Sequence, residues 1–139
     1  SFLFDLQTAA QAKSRSTGSA ARSLGSLPSP SSSIVVVEAG EAPFSQMLAD
    51  LPQGLLAEGL LGAGQGNILG GDFSANLLLG YRVERGEVVG RVKNTIISGN
   101  VYTVLKGSVA VGKERRWVGG SLLTPALGVE GVTVSSKTS

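Results

Sequence analysis

Cysteine and histidine are both absent from the 139 residues of this chain. Without cysteine there is no disulfide framework and no thiolate chemistry. Without histidine the chain lacks the commonest general base and the commonest metal ligand. Its ten acidic residues are scattered, and no two lie at a spacing that suggests a paired site. We therefore expect this chain to contain no catalytic residue, no metal ligand and no bound cofactor.

Charged residues are also scarce, at 16% of the chain, against roughly 25% in an ordinary soluble domain. Hydrophobic residues make up 42%, and the mean hydropathy is +0.21. Such a composition favours either a domain excised from a larger chain or a subunit with a broad apolar interface. The first residue is Ser1 rather than methionine, which favours excision. The length predicts one domain, residues 1–139.

A net charge of +2 is too small to indicate nucleic-acid binding, which needs a clustered basic face. The densest basic stretch, residues 113–116, contains an acid and is typical of a solvated hairpin tip. No uncharged stretch reaches the 18 or so apolar residues of a membrane span, and the amino terminus lacks the pattern of a secretion signal. We expect a cytoplasmic protein without nucleic-acid or membrane partners.

Local patterns predict a mainly β fold with two short helices. One helix is predicted over residues 43–51 and ended by Pro52; the other begins after a cap at Asn100 and ends at Gly107. Residues 8–13 are read as a further short helix or a turn. Many short strands with glycine between them favour a β-barrel-like or sandwich architecture. The strands are predicted at residues 1–6, 34–37, 54–61, 77–84, 87–92 with an extension through 95–97, 109–112, 116–118, 126–129 and 132–135.

Two of these strand predictions are specific. The β-branched residues 34–37 are read as a buried strand. Arg85-Gly86 separates two alternating runs and predicts a tight hairpin in which Gly86 supplies a positive φ.

Residues 14–33 are dominated by serine, glycine and proline. This composition buries too little apolar surface to order itself. We interpret the segment as a flexible loop or as a segment that a partner orders.

Four polar or aromatic residues near the centre of the chain are candidates for a substrate-channel or interface site: Asp72, Phe73, Ser74 and Asn100. Asp72-Phe73-Ser74 is either a polar turn lining such a site or a structural turn with Phe73 in the core, and the structural interpretation is favoured. Asn100 is better explained as a helix cap than as a ligand contact. The glycine-rich residues 62–67 lack the features of a phosphate loop and are interpreted as a flexible connection.

The order of short motifs along the chain resembles the carboxy-terminal part of TldD/PmbA proteins. Residues 16–22 (STGSAAR) are similar to a family stretch "STGNAxR", and a strand beginning with Gly54-Leu55 follows it. The later motifs continue in the family's order: GDFS at 71–74, GYRVERGE at 80–87, VKNT at 92–95 and SGN at 98–100.

The resemblance implies a β-barrel-like carboxy-terminal domain that follows an α/β part and belongs to a two-subunit metallopeptidase. Family members are associated with peptide maturation and with modulation of DNA gyrase. In the family, one subunit holds zinc through an upstream HExxxH helix and a carboxy-terminal cysteine, expected here near residues 117–125. No cysteine stands there, so the PmbA/TldE-like subunit, which lacks the metal, is the better match. The resemblance implies that the paired subunit is where zinc could be held, and it leaves open whether the parent chain has the zinc motif.

The sequence is compatible with three functions. The first is a non-catalytic domain that shapes the substrate cavity and subunit interface, with the upstream domain, a paired family subunit (a homo- or heterodimer) and a peptide substrate as partners. The second is a free-standing β-barrel interaction module that binds peptide or protein along an exposed strand. The third is an enzyme that uses carboxylates alone, such as Asp72 and Glu84, and the lack of a paired site argues against it.

Overall fold

The computed structural model describes residues 4–136. They contain three short helices and ten strands. In chain order these are α1 (Leu6–Gln11), β1 (Ala20–Ala21), β2 (Ser29–Pro30), β3 (Val35–Val36), α2 (Phe44–Ala49), β4 (Gln53–Leu61), β5 (Asp72–Glu84), β6 (Glu87–Arg91), β7 (Thr95–Asn100), α3 (Val101–Lys106), β8 (Val109–Val118), β9 (Leu122–Val129) and β10 (Thr133–Ser136).

The fold is mainly β, as expected, but it has three helices rather than two. The described residues divide into a larger unit, residues 38–115 and 125–136, and a smaller unit, residues 4–37 and 116–124. Strands β8 and β9 each contribute residues to both units.

A five-stranded antiparallel sheet forms the larger unit. Its order is β10-β7-β5-β4, and β6 pairs with β5 outside this path. The long strand β5 divides one of its edges between two partners: residues 72–76 pair with β7, and residues 81–84 pair with β6. Among the described strands the sheet does not close on itself, so an open sheet or sandwich fits and a barrel is not confirmed.

One face of this sheet carries the core of the larger unit. Ala75, Leu77 and Val83 of β5 are buried. They share one face of the sheet because alternate residues of a strand point to the same side. Ile97 of β7 lies directly opposite Ala75 and is also buried, as is Val104 of α3. The core of this unit is therefore small and built around β5.

The predicted hairpin at Arg85-Gly86 is confirmed. Glu84 pairs with Glu87, and both turn residues have positive φ, 51° at Arg85 and 80° at Gly86, as in a type I′ turn. The turn is also attached to the α2–β4 connection, because the Arg85 N–H donates to the Pro52 carbonyl at 2.7 Å and the Gly86 N–H donates to the Leu51 carbonyl at 3.0 Å.

The smaller unit has almost no core. Ala9 of α1 is its only buried hydrophobic residue within the described part of the chain. Asp5 caps α1 by accepting a hydrogen bond from the Thr8 N–H at 2.6 Å, and the backbone hydrogen bond from Thr8 holds the pKa of Asp5 below its usual range. In residues 14–33 the strands β1 and β2 form a two-stranded antiparallel pair.

Several sequence predictions need correction. The β-branched residues 34–37 predict a buried strand, but Val35 and Val36 are 46% and 48% exposed, although they pair with β9. Residues 1–3 of the first predicted strand lie outside the described residues, and Leu6 begins a helix. Residues 95–97 do not extend β6; they belong to the separate strand β7. Residues 109–118 form one strand rather than two.

Candidate functional site

The pairing of β5 with β7 brings all four candidate residues together. Asp72 lies opposite Asn100, Phe73 opposite Gly99, and Ser74 opposite Ser98. The four residues therefore occupy three neighbouring rungs where β5 begins and β7 ends. We call the hydrogen-bonded contact between Asp72 and Asn100 the Asp72–Asn100 junction.

Asn100 connects three parts of the larger unit through its side-chain amide. Its Oδ1 accepts hydrogen bonds from the backbone N–H groups of Tyr102 at 3.1 Å and Thr103 at 3.3 Å, so it caps α3, as the sequence predicts. Its Nδ2 donates to Asp72 Oδ1 at 2.8 Å and to the Gly70 carbonyl at 2.7 Å. Aspartate or serine could also cap the helix, but neither carries the amide donor that reaches Gly70.

Phe73 and Ser74 point to opposite faces of β5. The Phe73 ring covers Gly99, since a Cβ at Gly99 would lie 3.2 Å from its Cζ. Phe73 is half-buried, whereas Ser74 is exposed. The prediction that Ser74 closes a turn through local hydrogen bonds is wrong for the described residues, because Ser74 lies within a strand and makes no side-chain hydrogen bond there.

The connection between β4 and β5 is an ordered part of this site over residues 67–71. The Asn67 Oδ1 accepts from the Gly70 N–H at 3.0 Å, and the Asn67 carbonyl accepts from the Asp72 N–H at 3.2 Å. The Gly71 carbonyl accepts from the Val101 N–H at 2.8 Å. The glycine-rich residues 62–67, interpreted as a flexible connection, share only Asn67 with this ordered part, so that interpretation stays a prediction.

Gly71 and Tyr102 complete the site, and sequence reasoning did not identify them. Gly71 has a φ of 81°, and a Cβ there would lie 2.4 Å from Tyr102 Cδ2. The Tyr102 hydroxyl donates to the Leu69 carbonyl at 3.5 Å. The consecutive glycines at 70 and 71 were the available signal for a position that requires positive φ.

The hydrogen bonds of this arrangement mainly connect parts of the fold to one another. Both polar ends of the Asn100 amide are already bound within the unit. The two carboxylates that an enzyme acting through carboxylates alone would pair, Asp72 and Glu84, lie at opposite ends of β5, about 40 Å apart at roughly 3.3 Å per residue. Carboxylate pairs that act together lie within about 10 Å of each other, so these two cannot form one site.

No group of three or more carboxylate, cysteine or histidine side chains could hold a metal ion within residues 4–136. None of the helices in that part of the chain is long and apolar enough to cross a membrane.

Apolar side chains are exposed on both units. In the smaller unit they include Leu24, Leu27, Ile34 and Trp117. In the larger unit they include Ile68 and Leu69 of the β4–β5 connection, and Tyr102 and Leu105 of α3. A contiguous apolar surface is typical of sites that contact protein, membrane or ligand, whereas single exposed apolar side chains are common on any protein.

The mainly β fold and the order of the sequence motifs together place this chain in a known class of domain. The model of the PmbA/TldA metallopeptidase C-terminal domain family matches residues 1–136. The chain belongs to this family, and the resemblance seen in its motifs is confirmed.

Individual relatives are similar over most of this chain. A protein named a metalloprotease from Methanothermobacter thermautotrophicus is 29% identical over 84% of the chain. The structure of TldE from Thermococcus kodakarensis is 27% identical over 97% of it, with a TM-score of 0.82. The structure of a putative modulator of a DNA gyrase from Thermotoga maritima is 29% identical over 97%, with a TM-score of 0.80. The chain spans only 25% to 31% of the length of these three proteins.

Proposed function

We propose that this chain is the non-catalytic carboxy-terminal domain of a TldD/PmbA-type metallopeptidase subunit, in which it shapes the substrate cavity and the subunit interface. The observation that carries this proposal is the apolar surface that the chain leaves exposed. Trp117 is 57% exposed, Leu27 is 88% exposed, and the smaller unit buries only Ala9 among its described hydrophobic residues. A unit without its own core gains stability when another protein surface covers it.

The neighbours proposed to cover this surface are the upstream domain of the same protein and a paired family subunit. The family membership and the short span of the chain relative to its relatives support both. The peptide substrate would enter a cavity to which the Asp72–Asn100 junction contributes one wall, with the exposed Ser74 as its polar surface. The protein would act in the cytoplasm, without nucleic acid.

Zinc, in this proposal, is held by the paired subunit. The described residues do not fit the metal, because they supply no cluster of ligands and the full sequence has neither histidine nor cysteine. Structural and catalytic zinc sites use three or four such ligands. Isothermal titration of the domain with zinc at neutral pH should show no stoichiometric site; a site of micromolar or tighter affinity would contradict the assignment.

The function itself is tested on the full-length protein that carries this chain. We expect it to co-purify with a paired family subunit, with zinc and peptidase activity present in the pair. The activity should be lost on chelation, because metal-bound water is the nucleophile in zinc peptidases. Chelator-insensitive cleavage of unfolded casein by the isolated domain would overturn the proposal.

A second candidate is a free-standing module that binds peptide or protein by strand addition. It is favoured by one observation: β4 and β10 each end the five-stranded sheet, so each has an outer edge without a strand partner among the described residues. Such edges can accept an extended peptide. The sequence upstream discriminates the two, since a long α/β region there supports the metallopeptidase subunit and its absence supports the module.

A further inference from the structure

The Asp72 carboxylate is held in place but has no cation beside it. Its Oδ1 accepts a hydrogen bond from Asn100 Nδ2 at 2.8 Å. The side chain is exposed, and no lysine or arginine forms an ion pair with it within residues 4–136. Its second oxygen accepts no hydrogen bond from that part of the chain. Asp72 therefore presents one oriented carboxylate oxygen that a ligand can reach.

The segments around Asp72 supply no charge that would neutralise it. Residues 59–71 and residues 94–105 contain no charged side chain, and the two segments meet where the Val101 N–H donates to the Gly71 carbonyl at 2.8 Å. The cation on α3, Lys106, lies at the opposite end of that helix from the cap. A negative charge attracts a cation more strongly beside apolar surface than in open water, because the effective dielectric constant is lower there. The electrostatics of this site therefore favour a cationic ligand.

An aromatic ring and an exposed aliphatic side chain lie near this carboxylate. Asp72 and Tyr102 are bound by the same carboxamide, because Asn100 Oδ1 accepts from the Tyr102 N–H at 3.1 Å while its Nδ2 donates to Asp72. The Tyr102 ring packs over Gly71, the residue before Asp72. The ring is partly free, since Tyr102 is 54% exposed, and Leu69, whose carbonyl accepts from the Tyr102 hydroxyl, is 93% exposed. Carboxylate, ring and aliphatic side chain thus belong to one stretch of surface on the larger unit.

A lysine or arginine side chain matches this surface in three ways. Its charged head pairs with a carboxylate through charge-assisted hydrogen bonds. The cation also interacts favourably with the face of a tyrosine ring. The aliphatic stem packs along apolar side chains. A neutral apolar side chain would match only the apolar part, and an acidic side chain would be repelled by Asp72, so the surface distinguishes a basic residue from both.

We propose that Asp72, Tyr102 and Leu69 form a subsite for a lysine or arginine side chain of the peptide substrate, which we call the Asp72 subsite. This inference rests on the proposed function, because it assigns the cavity wall to which the Asp72–Asn100 junction contributes. It deepens that function by naming the substrate class, peptides that carry a basic residue. Asn100 is a positioning residue in this subsite, since it holds the carboxylate rather than the ligand.

The test compares peptides that differ in one residue, on the full-length protein with its paired subunit. Each position of one amino-acetylated peptide carries, in turn, lysine, arginine, norleucine or glutamate, and kcat/KM is measured for cleavage. At one position we expect lysine and arginine to be preferred over norleucine about tenfold, as for an exposed ion pair combined with a cation–π contact. Asp72→Asn should reduce this preference to about threefold or less, the part that the ring supplies, and leave the norleucine peptide unaffected. Asp72→Lys should transfer the preference to glutamate.

Two controls isolate the carboxylate and the ring. Asp50→Asn is the matched variant, because Asp50 is also an exposed aspartate whose Oδ1 accepts from a side-chain amide, that of Gln46 at 2.7 Å. It lies at the end of α2 and should keep the wild-type preference. Tyr102→Phe keeps an aromatic face and should keep the preference too, whereas Tyr102→Leu should lower it about threefold.

Binding of the same peptides, measured by fluorescence anisotropy, gives a readout that needs no peptidase activity. Equal binding of lysine and norleucine peptides at every position, an unchanged preference in Asp72→Asn, or an equal loss in Asp50→Asn would overturn the proposal. So would binding that requires a free amino terminus rather than the basic residue, because the carboxylate would then hold the terminal amine.

The two readouts also separate this inference from the proposed function. An active pair without any Asp72-dependent preference overturns the inference and leaves the proposed function standing. A pair that binds basic peptides through Asp72 but cleaves none of them supports the inference and counts against the proposed function.

Discussion

Replacement of Asn100 by alanine tests whether the Asp72–Asn100 junction stabilises the larger unit. The substitution removes the cap of α3, which is worth about 1 kcal/mol. It also removes two hydrogen bonds from Nδ2, each worth about 0.5–1.5 kcal/mol. Since Asn100 is half-buried, water replaces part of the lost bonding, and we expect a loss of roughly 2–3 kcal/mol in the free energy of unfolding.

Two further variants divide this loss between its causes. Asn100→Ser keeps a capping oxygen and lacks the amide donor, so it should lose about 1 kcal/mol less than Asn100→Ala. Asp72→Asn keeps an acceptor opposite the Asn100 amide and removes only the charge, so stability should change by less than about 0.5 kcal/mol. A stable Asp72→Asn variant that loses peptidase activity in the assembled protein would show that the Asp72 carboxylate also has a functional role.

The measurement is urea unfolding of the purified variants, followed by far-UV circular dichroism and fitted with a common slope. An Asn100→Ala protein as stable as the wild type would refute the reasoning, because the junction would then contribute nothing. Equal losses in Asn100→Ala and Asn100→Ser would show that the cap is not what the asparagine supplies.

Three other predictions concern the hairpin, the amino-terminal segment and α1. Gly86→Val should destabilise the protein by about 3 kcal/mol or more in thermal or urea unfolding, because it combines an unfavourable positive φ with a Cβ placed 2.8 Å from the Ala49 backbone. The control variant Arg85→Asn suits the same turn and should leave the stability unchanged or raise it. An unaltered unfolding midpoint in Gly86→Val would contradict the turn. Limited trypsin digestion of the isolated domain should cut first at Lys13, Arg15 or Arg22, because these residues are exposed and little burial offsets the entropy cost of ordering their backbone. The paired subunit should slow those cuts. First cleavage at Arg82, Arg85 or Arg91 would show that the ordered and flexible parts of the chain are reversed. Because the pKa of Asp5 is lowered, its stabilisation of α1 is present at neutral pH and is lost as the pH falls through that lowered pKa. An NMR titration of the Asp5 carboxyl would measure this pKa. An ordinary value would show that the cap does not form.

Local rules allowed part of this structure to be predicted from the sequence. Arg85-Gly86 between two alternating runs predicted the β5–β6 hairpin, because a two-residue turn with positive φ depends only on neighbouring residues. Asn100 and Gly107 likewise marked the ends of α3, since caps act within one helical turn. The order of short motifs indicated the family, and the absence of histidine and cysteine excluded the usual zinc ligands without any knowledge of the fold.

Strand pairing, by contrast, was decided only in the tertiary structure. Nothing local indicates that β5 divides one edge between β6 and β7, because the partners of a strand depend on residues far along the chain. The same pairing places Asp72 beside Asn100, 28 residues away, and so creates the candidate site. The apolar strand β3 shows the complementary limit: its β-branched residues predicted a strand, but whether Val35 and Val36 are buried depends on what covers them. A sequence determines its turns and caps through nearest neighbours, whereas burial and register arise from distant segments that only the folded chain brings together.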